Sequence, residues 1–475
     1  MEGLGIKEKL FSQVFENKDF RIDSQFYTKE PIKNPLLIYD KIGNKLDKSQ
    51  YGISISMNEN NVGYPIYRMN EIHNLLCDLS VNKSANISEK ELEIFKLNDR
   101  DVIFNRTNSF EWVGRTGIYR KLDNKDFIFA SYLVRFIPDE KFILPEYLTA
   151  FLNSKQGVWD IKRRARQSIN QTNVNPEEVK EIEIPLLSMI FQKRIKNLFE
   201  EAHISRVTSE TLYKQAENIL LEELDLKDWK PTNENIKIKS LKNSFLQSGR
   251  LDSEYYQQKY EEIIEKIKSY KGGHDTLENL CNLMDKNYKL KEKQYYKYIE
   301  LSNIGTTGDV TGFTYELGED LPNRARRRIK ENDVIVSSIE GSLEKVALVT
   351  KKFDNSLCST GFYVINSEKI NSETLLILLK NKIVQQILKQ NCSGTILTAI
   401  NKDEFLRIGL PIIDLLIQNK IEEKIKESFD LKEKSKQLLD ISKLAVEKAI
   451  EENEEIALMW IENKLKELNI KLNEV

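Results

Sequence analysis

Two long stretches of this chain repeat apolar residues at spacings near three and four. From about Leu187 to Leu224 the stripe is Ile190, Ile195, Phe199, Ala202, Tyr213, Ala216, Ile219 and Leu220. From about Leu416 to Ile456 it is Ile417, Ile421, Ile425, Phe429, Leu438, Ile441, Ala445 and Ile456. That period marks one face of an α-helix, and neither stretch holds a proline or a glycine. At a rise of 1.5 Å per residue, each would run on the order of 55–60 Å. A rod of that length cannot bury its stripe against itself, so the pattern predicts that the two pair as an antiparallel coiled coil.

Ahead of each rod the period changes. DVIFN (101–105), DFIFASYLVRFI (126–137), DVIVSSI (333–339), KVALVT (345–350) and FYVI (362–365) are short, rich in β-branched and aromatic residues, and punctuated by Gly, Asn and Asp, as strands are. PEYLTAFLNSKQGVWDIKRRA (145–165) and SETLLILLKNKIVQQILKQ (372–390) read as helices that follow those strands. The order of elements therefore occurs twice, and so do the words. RIDSQFY at 21–27 returns as RLDSEYY at 250–256, and YPIYRMNEI ending at Ile72 answers YKYIELSNI ending at Ile304. RDVIFN answers NDVIVS, and NPEEVKEIEIPLLSMIFQKRI answers NKDEFLRIGLPIIDLLIQNKI. In that last pair Asn175, Pro185, Gln192 and Ile195 meet Asn401, Pro411, Gln418 and Ile421 at one constant offset. A tandem duplication follows: mixed α/β (α+β) heads at 1–186 and 229–414, a rod and connector at 187–228, and a second rod with the C-terminal tail at 415–475. Its pseudo-twofold symmetry suits a target that also has two halves.

Charge narrows the function less than the repeat does. Lysine and arginine number 72 and acids 74, for a net charge of −2, which disfavours a stand-alone nucleic-acid binder. Positive surface must then be local or supplied by a partner. No apolar run approaches the roughly 18 residues a membrane span requires, and the N-terminus lacks the features of a secretory signal. The four cysteines lie far apart without CxxC spacing, so neither zinc nor a disulfide framework is expected, and a reducing cytoplasm is the expected location.

Catalytic patterns are missing. The chain has no Asn-Pro-Pro-aromatic tetrad, Gly-rich cofactor loop, Walker-type phosphate loop or GxSxG, and its three histidines, His73, His203 and His274, are scattered. Basic clusters are the better lead. KRRARQSINQTN (162–173) sets Arg163, Arg164 and Arg166 beside Gln167, Asn170 and Gln171; Arg suits phosphates and guanine edges, and amides suit adenine edges. RARRRIK places Arg324, Arg326, Arg327, Arg328 and Lys330 just before a strand. The polar loop NRTNSFEWVGRTG (105–117) adds Arg106, Asn108 and Arg115, whereas its counterpart SSIEGSLEK (337–345) has different chemistry. A solvated surface face is the plainer reading of any such run. In the RxDSxxY blocks, Asp23 and Asp252 are expected to make structural hydrogen bonds beside packed tyrosines.

Taken in order, the RxDSxxY starts, DVIFNRTNS with VGRTG behind it, FASYLVRF, and the IPLLSMIFQKRI and LPIIDLLIQNKI entries to long helices resemble the specificity subunit of type I restriction–modification systems. The resemblance covers nearly the whole chain, although DVIVSSIEGS lacks the Asn-Arg-Thr of the first half. It implies two target-recognition domains, each reading one half of a bipartite double-stranded DNA site, with the rods fixing the gap. It also implies that this subunit does no chemistry and docks two adenine-methyltransferase subunits, which can recruit two translocase–nuclease subunits. S-adenosylmethionine, ATP and Mg2+ would belong to those partners. Two readings stay beside it: a coiled-coil scaffold that binds proteins, favoured by the near-neutral charge, and a self-contained enzyme with an unfamiliar site.

Overall fold

The computed structural model describes residues 8–15, 21–73, 75–169, 171–232, 234, 237–394 and 398–472. The chain divides into two compact units, one made of 1–207 with 432–475 and the other of 208–431.

The first unit is built on a six-stranded sheet in the order Leu46–Tyr51, Leu133–Pro138, Val102–Asn105, Thr116–Ile118, Leu76–Cys77, Ile72–His73. Val102 and Phe104 point into one core with Tyr147, Leu148 and Phe151, while Ile103 enters another with Tyr67, Tyr119 and Leu133. Both faces of the strand are covered, hence its unbroken apolar run. In the second unit Asn282–Leu283, Phe362–Asn366, Val334–Ser337 and Val346–Leu348 form a sheet in the same order as the first four strands above. A further sheet, Thr314–Leu317, Tyr295–Ile299, Leu357–Ser359, Ala325–Arg328, belongs to the second unit.

The duplication extends to single hydrogen bonds. Gln192 accepts from the Leu144 N–H and donates to the carbonyls of Phe142 and Leu187; Gln418 accepts from the Asn371 N–H and donates to Lys369 and Ile413. Asn175 and Asn401 each cap a short helix with the side-chain oxygen. The RxDSxxY blocks form matching latches. Arg21 grips Asp23 and donates to the Arg164 carbonyl, and the Tyr27 hydroxyl donates to the Arg21 carbonyl. Arg250 grips Asp252 and donates to the Cys392 carbonyl, and Tyr256 donates to the Arg250 carbonyl. The motif is structural, as its capping residues predicted, and it ties the opening of each half to the end of a helix.

Three expectations need correction. The stretch 126–137 is two strands, Ile128–Phe129 and Leu133–Pro138, separated by a turn. Each expected single helix after the strands is broken once, into Pro145–Asn153 and Lys155–Arg164, and into Ser372–Lys380 and Lys382–Gln390. The breaks coincide in the repeat: Ser154 accepts from the Gly157 N–H and Asn381 from the Ile383 N–H, each starting a new helix with its own cap. The second rod ends at Glu451, and Asn453 caps a separate helix, Glu454–Glu467, so Ile456 does not belong to the rod.

The long helices are Met189–Glu223 and Leu415–Glu451. In the first unit Ile195, Leu198, Phe199 and Ala202 share a core with Leu438, Ile441, Ala445 and Ala449. In the second unit Tyr213, Ala216 and Leu220 share a core with Ile421 and Ile425. The start of one helix meets the end of the other, so they pair antiparallel. Ser209 Oγ donates to the Ser428 carbonyl at 2.7 Å and Ser428 Oγ returns a bond to the Ser209 carbonyl at 2.8 Å, a close approach only small side chains allow. Ile190, placed in the stripe from spacing alone, is 75% exposed.

His203 lies buried in the first long helix. Desolvation, then the charges of Arg120 and Arg206, pull its pKa from 6.5 down to about 4. A histidine held neutral in the fold contributes stability that is complete above its unfolded pKa and is lost as pH falls from 6.5 toward 4. Taking the unit from pH 7.5 to pH 5 should therefore cost about 2 kcal/mol through this residue alone. In chemical denaturation at both pH values, His203→Leu should show a smaller drop than wild type by that amount; equal drops would remove His203 from the account.

Candidate nucleic-acid interface

In the first unit, backbone pairing gathers residues that are far apart in sequence. Thr107–Asn108 pairs with Thr172–Asn173, which pairs with Arg166–Gln167, all antiparallel. Asn108 stands opposite Thr172, and Thr107 Oγ1 donates to Asn173 Oδ1 at 2.6 Å. The loop at 105–117 and the run at 162–173 thus form one surface. Arg166, Gln167 and Gln171 are exposed on it. Asn108 is half-buried, and Arg106 is half-buried with its guanidinium 5.1 Å from the Tyr51 ring centre. Asn170 lies outside the described residues.

Beside this sheet the turn Ser109–Gly114 exposes Phe110 and Trp112. Arg115 lies over the Trp112 ring at 3.4 Å, with Nη1 3.5 Å from His73 Nδ1, and burial lowers its pKa. Gly114 has φ +91°, and a Cβ there would stand 2.6 Å from Ile161 Cγ2, so only glycine closes the turn. Lys162 Nζ donates to the carbonyls of Phe110, Glu111 and Val113, and this desolvation pulls its pKa to about 8. The result is a rigid turn tipped with two aromatics. Sequence reading, which took the Arg, Asn and Trp of this loop together, passed over Phe110; a second large aromatic among polar residues was the available signal.

Arg163 and Arg164, expected at the surface, are only 9% and 6% exposed. Arg163 pairs with Asp160 and donates to the Phe26 carbonyl at 2.8 Å; Arg164 pairs with Asp160 at 3.0 Å and with Glu178 at 2.8 Å. Both guanidiniums lie over the Phe26 ring. These arginines hold the latch segment rather than face solvent. The second half makes a comparable contact without a cation: Gln390, the last residue of its helix, donates to the Tyr255 carbonyl, the counterpart of Phe26. The carbonyl contact can thus be made by a neutral amide, whereas the Arg163 charge in the first unit also answers buried Asp160.

The second unit carries different chemistry. Cys392–Ser393 and Ala399–Ile400 pair as the counterpart of the hairpin that holds Arg166 and Gln171, but residues 392–400 contain no cation. In place of the aromatic turn, Glu340–Ser342 forms a short 3-10 turn. RARRR instead sits on the strand Ala325–Arg328, paired with Leu357–Ser359 through a bulge. Arg324, Arg326 and Lys330 are exposed, with Arg324 3.8 Å from Glu300, and Arg327 is half-buried. Arg328 donates to Asn355 Oδ1 at 2.8 Å, 5.1 Å over the Tyr288 ring. Among the described residues no group of three His, Cys, Asp or Glu side chains could hold a metal, and no helix is long and apolar enough to cross a membrane.

Comparison with known proteins converges on one family. Residues 275–440 match the family model described as the type I restriction modification DNA specificity domain. The chain is 34% identical over 89 residues to the type I restriction enzyme EcoKI specificity subunit of Escherichia coli (strain K12), 18% of this chain and 19% of that protein. It is 22% identical over 158 residues to the putative type I restriction enzyme MjaX specificity subunit of Methanocaldococcus jannaschii, 33% of this chain and 37% of that one. The matches thus span about a fifth and about a third of those relatives' lengths. Among solved structures, the type I restriction-modification system S subunit from M. genitalium aligns over 93% of this chain and 98% of its own, at 14% identity and a TM-score of 0.39.

Proposed function

From the premise that this chain belongs to the type I restriction–modification specificity subunits, we propose that it is the non-catalytic DNA-recognition subunit of such a system, in the cytoplasm. Two target-recognition heads, 1–186 and 229–414, each read one half of a bipartite double-stranded site. The segments 187–228 and 415–475 act as spacers, and the subunit docks two adenine-methyltransferase subunits, which can in turn carry two restriction subunits. S-adenosylmethionine, ATP and Mg2+ act on those partners. One observation carries the reading: a small sheet in the first head collects Arg106, Asn108, Arg166, Gln167 and Gln171 next to Arg115 and two exposed aromatics. Cations position a duplex by its phosphates, and amides and arginine discriminate base edges. Arg324, Arg326, Arg328 and Lys330 serve the second head, while the partners supply the phosphate contacts that a net charge of −2 withholds.

The test is a titration of target duplex with the full chain and its methyltransferase subunit. Arg115→Ala with Arg166→Ala and Gln167→Ala should weaken binding roughly 100-fold, a few kcal/mol from lost base and phosphate contacts, with thermal unfolding unchanged. Unaltered affinity would discard this surface. No retardation of any duplex at low salt, with or without the methyltransferase subunit, would favour the protein-binding scaffold that the near-neutral charge allows.

A further inference from the structure

We propose that the second unit holds a stacking pocket for an unpaired nucleobase of a DNA strand, whose phosphate is met by Lys297 and Arg328. The proposal rests on the DNA-recognition reading and deepens it.

Strand alternation builds the pocket. Tyr296 and Tyr298 are buried, which sends Tyr295 and Lys297 to the other face of Tyr295–Ile299. Pairing with Thr314–Leu317 sets Lys297 opposite Tyr315. Tyr295 and Tyr315 are 55% and 59% exposed, yet their rings stack at 5.1 Å between centres and 20° between planes. They border a cavity of about 260 Å³ that Tyr288, Lys297, Arg328 and Ser356 also line. That volume suits one ring system rather than an extended ligand. Arg328 is fixed in place by Asn355 and the Tyr288 ring. Ser356, which also borders the cavity, is 3% exposed and its Oγ has no hydrogen-bond partner. Asp354 also lines the cavity, its oxygens accepting from the Glu331 N–H and from Asn355, so its charge offsets one of the two cations and the lining keeps a positive balance.

Flat π faces beside two cations describe a nucleobase carrying a phosphate. A free nucleotide has the same chemistry. The strand is the better occupant, because Arg326 is exposed on the strand that supplies Arg328, with exposed Arg324 and Lys330 flanking it. One mononucleotide has no use for so many cations, whereas neighbouring phosphates do.

The experiment uses the full chain at low salt with a paired duplex and with the same duplex carrying one unpaired 2-aminopurine. Wild type should prefer the second about tenfold and quench the probe, as stacking on an aromatic does. Tyr295→Ala with Tyr315→Ala should erase the preference and the quenching while leaving the affinity for paired duplex and the circular dichroism unchanged. Tyr295→Phe with Tyr315→Phe, which keeps both π faces, should retain them. Equal affinity of wild type for the two duplexes, or a preference that survives the alanine pair, overturns the pocket and leaves the DNA reading standing. Failure of wild type to bind even paired duplex, with the methyltransferase subunit added as well as without it, overturns that reading instead. Displacement of the probe by millimolar AMP overturns the assignment to a strand.

Discussion

Arg164→Ala is expected to destabilise the first unit by about 3–5 kcal/mol, the usual cost of removing one partner from a buried ion pair. Arg164 bonds Asp160 and Glu178, and all three side chains are buried. Truncation leaves Glu178 without this counter-charge and removes one of the cations over Phe26, on which the RxDSxxY latch rests. Thermal unfolding should fall by on the order of 10 °C. Arg163→Gln should cost less than Arg164→Ala, because Asp160 keeps Arg164 as its counter-charge and an amide can still reach the Phe26 carbonyl, as Gln390 reaches that of Tyr255. A loss of DNA affinity by Arg164→Ala with no loss of stability would return this arginine to the reading surface.

The second large effect concerns the paired helices. Ser209 and Ser428 exchange hydrogen bonds where the backbones come close, so a four-residue insertion in one helix alone breaks the register. The same insertion made after Ser209 and before Ser428 preserves the pairing on both sides and lengthens each helix by about 6 Å. If helix length measures the gap between half-sites, the matched insertion widens that gap by roughly two base pairs at ~3.4 Å each. Genome-wide mapping of methylated adenine in a host expressing the variant with its methyltransferase reads this directly. Both half-sites should persist with a longer gap between them; an unchanged gap would dispose of the ruler, and altered half-sites would place specificity in the helices.

Much of the frame was legible because its parts act locally or through the backbone. Gln192 and Gln418 stood out at one offset, and the structure gives them the same three backbone partners. The long helices were legible from period alone. The breaks at Ser154 and Asn381 were not, since helical spacing continues across each cap and hides it. Burial of Arg163 and Arg164 was missed because a charge run looks solvated in one dimension; Asp160, three and four residues earlier, was the cue for an internal pair. The sheet that joins 107–108 to 166–173 depends on pairing across some sixty residues, which no local pattern reveals.

The latches and the two glutamine clamps take hold of main-chain carbonyls and amides, groups every residue type offers. Such anchors are indifferent to what the neighbouring side chains become. A hairpin rich in Arg and Gln in one copy and free of cations in the other can therefore sit on the same support, and substitutions on its exposed face carry little penalty to folding. The architecture separates the contacts that hold the frame from the side chains that are free to differ.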